Sequence, residues 1–310
     1  WGGMALRVLP PLRTRPVPRP DLVRPLFSFS GWLGLSAVLY AVTSSLDRLI
    51  IGSLATVDAV TYYSAPYEAI NRIGVVPGSL SMVLFPAFSF LDAGGRTEST
   101  ETLFARSVKF LLLSTGPAFV LLMFFAKDAL RLWLGPDFAA ESAFVVQVLA
   151  AGFLVNTVVA VPHNYLIGIG RVDISPKYQA FELAAFAALT WAGVKLWGIQ
   201  GAAAAAALRL AAFSVFLMAA SFTAGRIRLG YVWKRGLAGA AAALGLFAAG
   251  LAASRALGFG AWGAGACLLA LAAAAYFRVL APEERAFLAA ALRPRRGTVP
   301  AEATGTEGRG

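Results

Sequence analysis

An all-α bundle that crosses a membrane about eight times is the fold this sequence predicts, and three observations predict it. The 310 residues are 58% apolar and only 14% charged, with a mean hydropathy of +0.70, whereas a soluble domain carries about 25% charged residues. Runs of about 20 predominantly apolar residues, the length that crosses the hydrocarbon core, recur along the chain. No alternating strand pattern recurs, which discards a β-barrel. The low charge also excludes a water-soluble enzyme.

The apolar runs fall approximately at 26–53, 60–90, 104–126, 140–169, 176–197, 200–222, 232–253 and 258–279. Their connectors are short and carry breakers, such as Asp92-Ala93-Gly94-Gly95 and Gly135-Pro136-Asp137. Residues 1–25 are rich in Pro and Arg. Six spans over 26–222 form one bundle, and 223–280 holds two additional spans. In the tail, 281–310, Pro282-Glu283-Glu284 caps a short interfacial helix through Leu292, followed by a disordered Arg-, Gly- and Thr-rich end.

Orientation follows from the 27 Lys and Arg. With the N-terminal segment cytoplasmic, twenty of them fall on the inside and four on the outside (Lys127, Arg131, Lys195 and Arg255). Both ends are therefore expected in the cytoplasm, and the +11 net charge is topological. It calls for no nucleic acid; the expected partners are membrane lipids.

Few chemistries fit the rest. One cysteine, Cys267, excludes a disulfide framework, and one histidine, His163, excludes a multi-histidine metal site. Gly168-Ile169-Gly170-Arg171 lacks the third glycine and the strand–helix context of a nucleotide site. Neither a nucleophile elbow nor a Walker motif is present. No catalytic residue, cofactor or metal is expected, and the chain is not read as an enzyme.

The informative residues are polar ones inside the spans, because an Arg or Asp at a helix centre costs roughly 2.5–3.5 kcal/mol. The first span ends Ser44-Ser45-Leu46-Asp47-Arg48, and the second carries Glu68, Asn71 and Arg72. At 1.5 Å per residue these groups lie about 12–24 Å from the turn near 54–58, at overlapping depths on antiparallel helices. Two readings stand. Asp47–Arg48 and Glu68–Arg72 are structural ion pairs, or the arginines present forked donors to an anion in a hydrated pocket. Glu182 on the fifth span and Arg209 on the sixth are a second candidate pair. His163 reads as a hydrogen-bonded core residue, and Lys127, Arg131 and Trp133 as an interfacial segment. Hinges are expected at Gly74-Val75-Val76-Pro77-Gly78, where the glycines also permit close packing, and at Pro162. Ala202 to Ala207 gives the sixth span a smooth surface.

Several passages are familiar in combination. These are Trp32-Leu33-Gly34-Leu35-Ser36, Leu46-Asp47-Arg48-Leu49-Ile50-Ile51-Gly52, Val60-Thr61-Tyr62-Tyr63-Ser64-Ala65-Pro66 and Leu80-Ser81-Met82-Val83-Leu84-Phe85-Pro86-Ala87-Phe88-Ser89. Leu166-Ile167-Gly168-Ile169-Gly170-Arg171 and Gly198-Ile199-Gln200-Gly201-Ala202-Ala203 fit more loosely. Over about residues 26–222 the chain resembles the Wzx-type oligosaccharide flippases of the multidrug/oligosaccharidyl-lipid/polysaccharide (MOP) exporter superfamily. The resemblance implies two six-helix bundles around a V-shaped cavity, alternating access, and translocation of undecaprenyl-pyrophosphate-linked oligosaccharide to the outer leaflet of a bacterial inner membrane. The matched passages look like the second bundle of such a MATE/MOP-type transporter plus two C-terminal helices. With no Met at Trp1, the chain is read as a fragment or truncated frame lacking the first bundle. Carried over, Arg48 and Arg72 would hold the pyrophosphate, with Asn71 and Arg209 as further substrate-binding residues. Asp47, Glu68 and Glu182 would orient the arginines or bind a coupling H+ or Na+. Alternatives are a MurJ-like lipid II flippase, a MATE-type drug/cation antiporter, and a non-transporting membrane scaffold.

Overall fold

The computed structural model describes residues 20–224, 227–258 and 260–280, with Pro282 and Arg285. The Pro/Arg-rich start, most of the short helix expected from Pro282 to Leu292 and the C-terminal end lie outside the described residues. The rest is helix joined by short turns. This is a multi-pass membrane protein, with six helices long and apolar enough to cross a bilayer among the described residues.

Helix α1 (Pro20–Leu54) starts several residues ahead of the apolar run, with Pro20 at its first position and Pro25 near its start. The chain reverses at Ala55 and enters α2 (Val57–Asn71), where the Thr56 hydroxyl accepts the Ala59 N–H at 3.3 Å. A 3₁₀ turn, Arg72–Gly74, separates α2 from α3 (Val75–Ala93). Gly95, at φ +62°, then closes the reversal, and the Gly95 and Arg96 N–H groups bond back to the Asp92 and Leu91 carbonyls at 2.9 and 3.0 Å.

Helix α4 (Thr97–Leu134) runs 38 residues with a break at Phe125. Lys127, Arg131 and Trp133 lie on its last turns, beyond that break. Gly135 (φ +94°) and Pro136 at the first helical position start α5 (Pro136–Asn156). A second 3₁₀ turn, Thr157–Val159, leads into α6 (Ala160–Gly168).

Helix α7 (Ile174–Ala224) spans 51 residues, yet Trp197 and Gly198 (φ +59°, ψ −140°) leave helical geometry. A straight helix would hold Tyr178 and Phe216 more than 50 Å apart, at about 1.5 Å per residue. Their rings instead stack with centroids 4.1 Å apart. The element is thus a helical hairpin, and its two arms are the fifth and sixth spans of the sequence. They meet through Gly193 and Gly201; a Cβ on Gly193 would lie 2.7 Å from the Gly201 carbonyl oxygen.

The chain continues through α8 (Leu229–Val232), a wide π-type turn at Trp233–Leu237, α9 (Ala238–Ala256) and α10 (Gly260–Ala274), which ends in a second wide turn at Ala275–Val279. Counting the hairpin as two, seven membrane-length segments are described, and the eighth expected span is a shorter apolar helix.

Both 3₁₀ turns end three residues before a proline, Pro77 and Pro162. A proline denies its N–H to the carbonyl four residues earlier and crowds it. Those carbonyls belong to Ile73 and Val158, the central residue of each turn. The glycines behave differently from expectation. A Cβ on Gly74 or Gly78 would meet nothing within 4 Å, so neither is a close-packing position. Close approach occurs at Gly152, where a Cβ would sit 2.6 Å from Cα of Ala207, at the end of the alanine run. Ala202, Ala203, Ala205 and Ala206 are buried there.

Burial is uneven across the bundle. In the most apolar stretches of the α4 and α5–α6 segments, 44% and 56% of residues are buried. The values are 6% for the α1 segment and 11% for α2–α3, which therefore present open faces. At the arginine-rich end, Arg228 grips the buried Glu101 carboxylate with Nε (3.0 Å), Nη2 (2.8 Å) and its backbone N–H (2.7 Å). This bidentate contact ties the segment leading into α8 to the start of α4.

Candidate functional site: a charged hairpin beside a polar cavity

The α1–α2 hairpin brings the expected charges together in an unexpected pairing. Arg48 donates through Nη2 to Glu68 across the hairpin, and its guanidinium lies 5.4 Å from the centre of the Tyr67 ring. Asp47, 2% exposed, accepts the Tyr63 hydroxyl at 2.6 Å and the Arg48 backbone N–H at 2.9 Å. The expected structural pairs Asp47–Arg48 and Glu68–Arg72 are not formed as side-chain ion pairs among the described residues. Arg72 opens the 3₁₀ turn and is exposed, as is Asn71. The Arg72 N–H still bonds the Glu68 carbonyl, so the i, i+4 backbone register is kept; the Glu68 carboxylate is engaged by Arg48 across the hairpin instead.

Tyr63, Tyr67 and Asn71 follow at helical spacing on α2 and carry the hairpin's polar face inward. Tyr67 stacks on Tyr63 with centroids 5.9 Å apart and meets Phe153 of α5 edge-on at 5.5 Å. Behind it lies a cavity of about 190 Å³ bounded by α1, α2, α5, the 3₁₀ turn at Thr157–Val159 and both arms of α7. Its polar lining is Thr43, Asn71, Asn156, Gln179, Glu182 and Arg209. Tyr40, Asn71, Glu182 and Arg209 lie nine to fifteen residues from their nearest chain reversals, a depth of about 14–23 Å at 1.5 Å per residue. That is well inside a hydrocarbon core about 30 Å thick.

Glu182 and Arg209 thus share one cavity, as their spacing suggests, but no ion pair within 4 Å joins them among the described residues. Arg209 instead covers the Phe186 ring at 4.9 Å. Glu182 Oε1 and Arg209 Nε are both buried with no hydrogen-bond partner. Sequence reasoning missed Tyr63, Tyr67, Asn156 and Gln179. The signals were present: Tyr63-x₃-Tyr67-x₃-Asn71 on one helix face and Gln179-x₂-Glu182 on another.

Two further cavities differ in character. One of about 1070 Å³ is almost wholly apolar and lies between α2, α4 and α10, around Ile73, Leu122 and Leu268. Another, of about 390 Å³, opens at the arginine-rich end beside Arg96 and Arg171. His163 is half-buried on α6, and no group of three or more metal-binding side chains occurs among the described residues.

A family model described as polysaccharide biosynthesis protein matches residues 4–143, which include the whole charged hairpin. A Shigella flexneri relative named as an O-antigen transporter is 26% identical over 185 residues, 60% of this chain and 44% of that protein. A Haloferax volcanii relative named as a low-salt glycan biosynthesis flippase is 22% identical over 192 residues, 62% of this chain and 40% of that protein. An uncharacterized membrane protein of Methanocaldococcus jannaschii is 24% identical over 157 residues, 50% and 31% of the two chains. The chain spans less than half the length of these relatives. No solved structure gives a significant match. Over residues 4–143, the stretch that holds the charged hairpin, the chain is thus similar to polysaccharide biosynthesis proteins, and two of its relatives are named as a transporter and a flippase of glycans.

Proposed function

We propose that this bundle is part of a flippase that carries an undecaprenyl-pyrophosphate-linked oligosaccharide from the inner to the outer leaflet of a bacterial inner membrane by alternating access, with both ends of the chain cytoplasmic. One observation carries this reading beside the similarity to glycan transporters. The two least buried segments, α1 and α2–α3, are also those that hold Arg48, Glu68, Asn71 and Arg72. Charge on a face turned to hydrocarbon is costly; on the wall of a water-filled path it is useful. A second bundle facing these helices completes that path.

Arg72, exposed and without an ion-pair partner among the described residues, takes the pyrophosphate together with Arg48, whose forked donors suit phosphoryl oxygens. Glu68 holds Arg48 in position while the site is empty and releases it to the substrate. Glu68 takes the coupling H+ or Na+. The 3₁₀ turns preceding Pro77 and Pro162 are the hinges about which α2–α3 and α5–α6 bend between states. The chain acts as a transporter and catalyses no bond chemistry. An antiporter for cationic drugs fits less well, because Arg209 shares the deep cavity with Glu182.

The test is made in the native host. Arg48→Ala and Arg72→Ala, introduced at the chromosomal locus, are scored for surface polysaccharide and for the membrane level of the protein. Loss of polysaccharide at normal protein level is expected. Normal polysaccharide in the double variant overturns the pyrophosphate role.

A further inference from the structure

The deep cavity contains one unsatisfied acceptor and one unsatisfied donor. Glu182 is 7% exposed, and its Oε1 has no hydrogen-bond partner; neither does the buried Nε of Arg209. Buried polar atoms are almost always paired, so an orphan acceptor and an orphan donor in one cavity mark the place of a missing partner. The two charges oppose each other. A free cation would be repelled by Arg209, and a free anion by Glu182. The partner that satisfies both is neutral and both donates and accepts, which is what a hydroxyl does.

The remaining lining fits the same chemistry. The amide oxygen of Gln179 is taken by the Ser36 hydroxyl at 2.8 Å, and that of Asn156 by the Ser214 hydroxyl at 3.1 Å. Each amide keeps its NH₂ as a donor. Tyr67, Phe153 and Phe213 supply aromatic walls. The volume, about 190 Å³, falls below the roughly 300–1,000 Å³ of pockets for drug-sized ligands, so the space suits one ring. Tyr40 and Asn71, both exposed, set its mouth between α1 and α2, on the side of the charged hairpin.

We propose that the cavity lined by Glu182, Arg209, Gln179 and Asn156 is a subsite for a single uncharged sugar ring of the carried glycan. Glu182 accepts from ring hydroxyls, Arg209 and the two amides donate to them, and the aromatic side chains cover the C–H faces. The proposal rests on the flippase reading for its source of sugar, but free-sugar binding does not require transport.

Saturation-transfer NMR on the full chain in lipid nanodiscs tests it, with galactose, rhamnose, N-acetylglucosamine and glucuronate as probes at tens of millimolar. At least one neutral sugar is expected to receive saturation from the unaltered protein. Glu182→Gln, Arg209→Gln and the exposed Asn71→Ala are each expected to lower that signal at least fivefold, whereas Lys195→Ala, on the outer surface, leaves it unchanged. Asn71→Ala keeps the test decisive if a buried variant fails to fold. No signal from any neutral sugar, or equal signals in all variants, overturns the subsite. Preference for glucuronate, or Glu182-dependent thermal protection by sodium ions with no sugar signal, overturns it in favour of an ion site. Absent sugar binding alongside loss of polysaccharide in the Arg48 and Arg72 variants removes the subsite and leaves the flippase. Sugar binding with normal polysaccharide in those variants does the reverse.

Discussion

Arg48 of α1 and Glu68 of α2 form an ion pair across the hairpin, with 31% and 47% of their side chains exposed. Exposed ion pairs contribute about 0–1 kcal/mol to stability. Arg48→Ala is therefore expected to leave thermal unfolding of the purified protein nearly unchanged while surface polysaccharide falls at least tenfold. A large loss of stability with retained polysaccharide would make the pair a structural clamp. Glu68→Gln keeps the shape and one acceptor oxygen, and a milder defect is expected.

The neighbouring contact has the opposite character. Asp47 and Tyr63 are almost fully buried, and the 2.6 Å bond between them is the carboxylate's only side-chain partner among the described contacts. Tyr63→Phe removes that donor and leaves a buried acceptor unpaired, at a cost of about 1–3 kcal/mol. Thermal unfolding should shift down clearly, and an unchanged midpoint would show that the hydroxyl is dispensable.

Glycines separate into packing and open positions. Gly152→Leu forces α5 away from the second arm of α7, where even a Cβ would approach Ala207 to 2.6 Å. A loss of about 1–3 kcal/mol or more is expected from overpacking, seen as lower membrane yield and a lower unfolding midpoint. Gly78→Ala, in helix with open space around it, should gain about 0.5–1 kcal/mol from helix propensity. A hinge role for Gly78 adds a second expectation, lower transport despite higher stability.

Between α6 and α7, Lys177 donates to Asp173 at 2.5 Å and holds its carboxyl below the ordinary value of 3.8. A carboxyl lowered in the fold contributes stability above its unfolded pKa, and loses it as pH falls through the folded value. Lys177→Met is thus expected to have a small effect, a few tenths of a kcal/mol as for other i, i+4 pairs. That effect stays constant from pH 5 to 8 and fades only below about 4. Unfolding midpoints of both proteins across that range check it; a difference that changes between pH 5 and 8 would contradict the assignment.

Spans and reversals were readable because hydrophobic run length and turn chemistry act locally. Gly94-Gly95, Gly135-Pro136 and Trp197-Gly198 end helices for reasons visible in single residues. Pairing was not readable. Glu68 and Arg72 have the right spacing for a helical pair and keep that backbone register, but the competing partner, Arg48 on the neighbouring helix, is not visible in that spacing. Nor does the presence of proline select the hinges: Pro66 and Pro86 lie inside unbroken helices, and Pro117 lies eight residues before the break at Phe125. The charged members of the cavity were named from sequence because charge inside a span stands out. Its other amides and its tyrosines did not stand out, since their role arises only where six chain segments meet.

The central claim, movement of a lipid-linked glycan, is tested most directly by deleting the gene in its host and extracting lipid-linked oligosaccharide. The account predicts loss of surface polysaccharide together with accumulation of the completed lipid-linked intermediate, because synthesis continues while translocation stops. Unchanged surface polysaccharide, or its loss with no accumulated intermediate, would contradict it.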